Sequence, residues 1–192
     1  MQTFNEGTIQ FAFPAAWYVL KYDDCRYYRG PVARTGAGLA AVDFIAVLPM
    51  PRPALLLLEV KDFRGHSTEN RDRLTSGDLA TEIVKKALDT FGALHAGLRA
   101  NHAELRVLAS ALLPYPVQVY IVLLLEEDTP PQSGASGHLS TTNKWKLDTY
   151  LKRRGDLLAS LAGKLKPFRM TPALYSSTDV PANAGWTATL QR

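Results

Sequence analysis

The chain has almost no cysteine. Cys25 stands alone among 192 residues, which excludes an intrachain disulfide framework and fits a reducing compartment. Long apolar runs are missing too, and none reaches the ~18–20 residues that a membrane span requires. The opening Met1-Gln2-Thr3-Phe4-Asn5-Glu6 has neither the basic start nor the apolar stretch of a secretory signal. A cytoplasmic protein with no membrane partner is therefore expected. There is no internal repeat, no low-complexity tract and no dominance of one charge: 22 Lys/Arg meet 18 Asp/Glu, a net charge of +4, which favours polyanions only mildly. What is present, 46% hydrophobic and 21% charged residues, suits a single globular domain spanning 1–192 with a core large enough to need no staples.

The distribution of charge is more informative than its sum. Residues 144–192 hold nine Lys/Arg against three Asp/Glu. This basic C-terminal elaboration, about 143–192, has two readings: a solvated amphipathic helix, or a phosphate-facing edge in which Lys152, Arg153 and Arg154 bind nucleic acid.

Along the chain, Trp17 to Tyr22 reads as a first strand, with Asp23-Asp24 starting its turn and Tyr27-Tyr28 continuing a hairpin. A second strand covers Ala40 to Leu48, followed by a turn at Pro49, Pro51 and Pro53. A third runs from Ala54 to Asp62, apolar on both faces through Leu55–Leu58 and so central. From Gly77 the period becomes helical, with Ile83, Ala87, Leu94 and Leu98 on one stripe and Ser76 or Asp78 as a cap. A further helical piece spans Asn101 to Leu112, and Val117–Leu125 is a second buried strand. A loop over Pro130–Gly137 precedes a basic helix over Asn143–Lys166, broken at Gly155. Phe168–Met170 and Trp186–Leu190 read as edge strands. The order predicts an α/β fold, a mixed central sheet flanked by helices on its faces.

Asp43 and Glu59 are acidic residues inside otherwise apolar strands, where an unpaired charge is costly. A hairpin centred on Pro51 sets Asp43 opposite Glu59, Ile45 opposite Leu57 and Val47 opposite Leu55. Strand alternation then puts Glu59 and Lys61 on one face and Val60 on the other. Two neighbouring carboxylates stay ionised together when a cation lies between them, and oxygen ligands suit Mg²⁺ or Mn²⁺. A nearby Lys61 ammonium can orient water or offset charge on a phosphorane. The alternative is a salt bridge at a strand end, Glu59 with Lys61 or Arg64.

Asp43, then Glu59-Val60-Lys61, then a helix from Gly77 resembles the PD-(D/E)xK nuclease superfamily, the restriction-endonuclease-like fold. The resemblance covers about 19–125. It implies a metal-dependent nuclease, with DNA the favoured substrate, in which Asp43 and Glu59 bind Mg²⁺ or Mn²⁺, the Val60 carbonyl adds a ligand and Lys61 is catalytic. Val42 stands where the family name has Pro, and no helix is read before the first strand. The further acidic residue that members carry there has candidates in Glu6, Asp23 and Asp24. The polar residue contributed by the following helix falls on Lys86, whose alternative is an i,i+4 pair with Glu82. A catalytically silent nucleic-acid-binding or assembly module of the same fold is the other class of function. The oligomeric state is open, and a homodimer is one arrangement it admits. His66, His95, His102 and His138 lack zinc-site spacing. Trp17, Trp145 and Trp186 are expected in the core or half-buried, with base stacking the alternative for Trp145 among its lysines.

Overall fold

A computed structural model describes residues 1–48, 53–66, 68–112, 118–128 and 140–191. The turn at Pro49 and Pro51, Val117, the Pro130–Gly137 loop and His138 lie outside the described residues. Among the described residues there are eight strands: β1 (Gln2–Glu6), β2 (Ile9–Phe13), β3 (Tyr18–Lys21), β4 (Phe44–Leu48), β5 (Ala54–Asp62), β6 (Gln118–Glu126), β7 (Met170–Tyr175) and β8 (Thr187–Leu190). Four α-helices accompany them: α1 (Arg71–Thr75), α2 (Asp78–Arg99), α3 (Ala109–Leu112) and α4 (Thr141–Leu165).

The central sheet has the order β3-β4-β5-β6-β7. Its first three strands form an antiparallel meander, and β6 and β7 join parallel to β5 after the crossovers that contain α2 and α4. The expected mixed α/β sheet flanked by helices is therefore present, with one correction. Among the described residues, the α-helices cover a single face. Ile45, Val47, Leu55, Leu57, Ile121 and Leu123 pack with Ile83, Leu94, Leu157 and Leu161 of α2 and α4. The alternate residues Phe44, Ala46, Leu56, Leu58, Val122 and Leu124 pack under a second sheet, β1-β2-β8, through Ile9, Phe11, Phe13 and Trp186. The β2 strand alternates buried and half-buried residues, as a strand with one covered face must.

Several local expectations are corrected. The strand at Tyr18 is the third, because the β1–β2 hairpin precedes it. Tyr27-Tyr28 does not continue a hairpin: Tyr28–Val32 forms a wide helical turn and Ala33–Thr35 a 3₁₀ turn, and the Tyr27 hydroxyl donates to the Ala93 carbonyl of α2 at 2.6 Å. The second strand begins at Phe44 rather than Ala40, since the backbone N–H groups of Ala40 and Val42 donate to Asp89 and Thr90 of α2 at 2.8 and 3.1 Å. Only α3 and a 3₁₀ turn (Ala103–Leu108) form over 101–112. Helix α4 runs through Gly155 without a break. At the head of α2 the N-cap is Gly77 with φ of 85°, while the Ser76 hydroxyl accepts from the Asp78 N–H at 3.2 Å.

Candidate active site at the β4–β5 sheet end

The described β4–β5 ladder pairs Phe44 with Leu58, Ile45 with Leu57 and Val47 with Leu55. Extended by one residue, this register sets Asp43 against Glu59. Odd-numbered residues of both strands face α2, so Asp43, Glu59 and Lys61 share its side, and the Val60 side chain turns to the second sheet. Asp43 is held from three directions. Its carbonyl accepts from the Tyr22 N–H at 2.7 Å, its Oδ2 accepts from the Val60 N–H at 2.6 Å, and Val42 before it is pinned to Thr90. In an extended strand a residue's N–H and C=O leave by the same edge, so the Val60 carbonyl leaves β5 on the Asp43 side.

Glu59 is 1% exposed. Its Oε1 receives two ammonium groups, Lys86 Nζ at 2.6 Å and Lys61 Nζ at 3.0 Å. Lys61 also reaches Glu82 Oε1 at 2.8 Å, and the other oxygen of Glu82 takes Arg73 Nη2 at 2.5 Å. The guanidinium of Arg73 lies 5.4 Å from the centre of the Phe63 ring. Lys86 therefore leaves the i,i+4 partner Glu82 and crosses to the sheet. The chain Glu59–Lys61–Glu82–Arg73 links β5, α2 and α1. Arg64 pairs with Asp62 instead of Glu59, at 2.5 Å.

Burial and the Glu59 charge push the Asp43 carboxyl up to about 7, against the pull of the Val60 N–H and Lys86. Burial draws the Lys61 pKa down, but Glu59 and Glu82 outweigh it and hold the ammonium above the ordinary lysine value. Burial likewise raises Glu82, and Lys61 and Arg73 outweigh it to leave that carboxyl below its ordinary value.

Glu6 and Asp24 sit beside this group and not in it. Both bind Lys21 Nζ, at 2.9 and 3.2 Å, and Asp24 also pairs with Arg29. Glu6 is close enough for its charge to add to the rise at Asp43, and burial raises the neighbouring Asp23.

The basic triplet is separated. Lys152 is exposed and pairs with Asp156 at 2.6 Å. Arg153 binds Glu127. Arg154 is only 9% exposed, donating to the Leu125 carbonyl at 3.2 Å and lying 3.6 Å from Asp179. Of the three, only Lys152 is exposed, while Arg153 and Arg154 close the seam between α4 and the end of β6.

Among the described residues, no group of three or more His, Cys, Asp or Glu side chains is arranged to hold a metal ion. Mg²⁺ needs no such group. It is bound through one or two carboxylates, retaining water and substrate phosphates as its other ligands. Asp43 and Glu59 would supply that pair, and Glu59 Oε2 is buried with no hydrogen-bond partner among the described residues. The donor set fits a hard divalent cation. Glu82 and Arg73 were not legible as site residues. Their only sequence signal was the i,i+4 spacing of Glu82 and Lys86.

No family model, no curated protein and no solved structure matches the chain. Among the described residues, no helix is long and apolar enough to cross a membrane.

Proposed function

We propose that this protein is a metal-dependent nuclease of the PD-(D/E)xK kind, hydrolysing phosphodiester bonds in nucleic acid, with DNA the favoured substrate. One observation carries the reading. The 2.6 Å hydrogen bond from the Val60 N–H to Asp43 joins the lone acidic residue of one strand to the Glu59-Val60-Lys61 triplet of the next. The meander, crossover helix and parallel strand around it agree with the core the motif implies.

In this reading Asp43 and Glu59 hold Mg²⁺ or Mn²⁺, with the Val60 carbonyl beside them. The chemistry such a cation supplies is Lewis-acid polarisation of the scissile phosphodiester. Lys61 is aimed by Glu59 and Glu82 and stays protonated, so it donates to charge developing on the phosphoryl oxygens. Arg73 fixes Glu82, and Lys86 balances Glu59, which is too buried to remain charged alone.

A second reading has its own support. With Glu59 Oε1 already neutralised by two ammonium groups, the cluster is self-sufficient as a structural ion-pair network, and the protein is a silent nucleic-acid-binding module. Calorimetric titration with Mn²⁺ separates the two. The nuclease binds Mn²⁺, and Asp43→Ala and Glu59→Ala each abolish binding while the chain stays folded. Undiminished binding in both variants removes the site, and no binding by the unaltered protein favours the silent module.

A further inference from the structure

The N-terminal half of α4 has no place in the core. From Thr141 to Arg153 no residue is buried, and the buried residues begin at Arg154 and continue with Leu157, Leu161 and Leu165. Arg154 marks a level in the sheet: its guanidinium donates to the Leu125 carbonyl, and Leu125 is the register partner of Lys61 in the parallel β5–β6 pair. Because α4 returns from the end of β6 to the start of the parallel strand β7, its first turns stand at the end of the sheet that carries Glu59 and Lys61. At ~1.5 Å per residue, Thr141–Arg153 extends ~20 Å from that level. Helix α4 as a whole packs on α1 and α2, the helices that carry Arg73, Glu82 and Lys86.

The side chains on the overhang are unusual for a solvated helix end. Trp145 is 66% exposed and Leu151 56%. Lys144 and Lys146 flank Trp145, both exposed, and neither has an ion-pair partner among the described residues. Lys152 follows two turns later on the Trp145 face. Asp148 is the only acidic residue between Thr141 and Arg153. An exposed indole between two ammonium groups that have no ion-pair partner among the described residues matches the chemistry of an unpaired nucleobase joined to a phosphate backbone: the ring stacks without regard to base identity, and Lys144 and Lys146 meet the phosphates.

Resting on the reading of nucleic acid as substrate, we infer that the overhanging half of α4 is a docking arm for single-stranded nucleic acid, with Trp145 as the stacking residue and Lys144 and Lys146 as the phosphate contacts. The arm would hold an unpaired segment of the substrate beside the end of the sheet at which Asp43, Glu59 and Lys61 lie. Its occupant is a single strand because a base within a duplex offers no free face to the indole.

The test uses the whole protein in EDTA, so that the metal site plays no part. Trp186 is 4% exposed and Trp17 is half-buried, against 66% exposure for Trp145, so a stacking ligand reports chiefly through Trp145. Titration with a thymidine oligonucleotide is expected to quench the intrinsic fluorescence, and Trp145→Ala to remove the quench and weaken binding, followed by anisotropy of a labelled strand, roughly 5- to 150-fold. Lys144→Gln with Lys146→Gln should flatten the log–log salt slope by up to ~1.4. Equal binding by Trp145→Ala and the unaltered protein overturns the proposal. So does a sedimentation experiment in which Trp145→Ala dissociates a dimer and leaves strand binding unchanged, which makes the arm a contact between copies of the chain. Loss of Mn²⁺ binding bears on the catalytic reading alone and leaves this result standing.

Discussion

Asp43 accepts a hydrogen bond from the Val60 N–H at 2.6 Å, across the point where the β4–β5 ladder has already ended. That bond puts a half-buried carboxylate beside Glu59, which is itself buried. The strain of this arrangement appears as a carboxyl that keeps its proton up to about pH 7.

Folded Asp43 releases its proton at about 7 and an ordinary carboxyl at 3.8. Between those values the folded chain binds the extra proton, so the group's stabilising contribution is present below pH 4 and is lost as pH rises through 7. Asp43→Asn keeps an acceptor for Val60 and cannot ionise. Its stability relative to the unaltered protein should climb by on the order of 4 kcal/mol between pH 4 and pH 8. Urea denaturation in EDTA at both pH values checks this, and a pH-independent difference would contradict it.

Lys86 occupies Glu59 Oε1 at 2.6 Å, where it competes with any cation for the same carboxylate. Lys86→Met should lower the stability of the metal-free protein by about 1–3 kcal/mol, because a buried acceptor loses a charged partner. The same change should tighten Mn²⁺ binding several-fold. Thermal melts with and without Mn²⁺ read both effects, and weaker Mn²⁺ binding would assign Lys86 a supporting role instead.

Glu82 holds Lys61 against the pull of burial on its proton. With Glu82→Gln that balance tips, so the upper limb of the pH–rate profile should move to lower pH and cleavage should fall about tenfold. DNA binding should be unchanged. A profile that keeps its shape would reduce Glu82 to a structural partner of Arg73.

Two glycines of α2 give opposite expectations. A Cβ at Gly97 would lie 2.4 Å from Leu105 Cδ1 and 2.5 Å from Tyr27 Cζ, whereas one at Gly92 meets nothing within 4 Å. Gly97→Ala should therefore cost about 1–3 kcal/mol by overpacking. Gly92→Ala should add ~0.5–1 kcal/mol through helix propensity. Chemical denaturation of the two variants side by side checks both signs.

The strands that carry the candidate site are legible because two out-of-place carboxylates interrupt continuous apolar runs. The register follows from centring the hairpin on Pro51, since a slip by one residue turns each side chain to the other face. The β1–β2 hairpin was missed. In β1, Gln2, Phe4 and Glu6 are half-buried while Thr3 and Asn5 face solvent, so the apolar signal is too sparse. The better clue was the alternation of Ile9, Phe11 and Phe13 after Gly7, whose φ is 54°. Residues 40–43 resemble a strand by composition, yet their donors go to Asp89 and Thr90, distant side chains that local sequence does not reveal. In the sequence Arg154 is indistinguishable from its charged neighbours Lys152 and Arg153. Its burial depends on Leu125 and Asp179, again far along the chain, and α4 there turns one face to the core every three or four residues. Lys86 was found from its position on the helix, but its partner was not, because the choice between Glu82 and Glu59 is made by packing α2 on the sheet.

The central claim is that the Asp43–Glu59–Lys61 group hydrolyses phosphodiesters, and cleavage of DNA with Mn²⁺ present, by the unaltered protein and by Lys61→Ala, tests it most directly. The account predicts Mn²⁺-dependent cleavage by the unaltered protein, and a loss of roughly 10²–10³ in rate for Lys61→Ala with DNA binding retained. Equal cleavage by both proteins, or none by the unaltered protein with either Mn²⁺ or Mg²⁺, would contradict it.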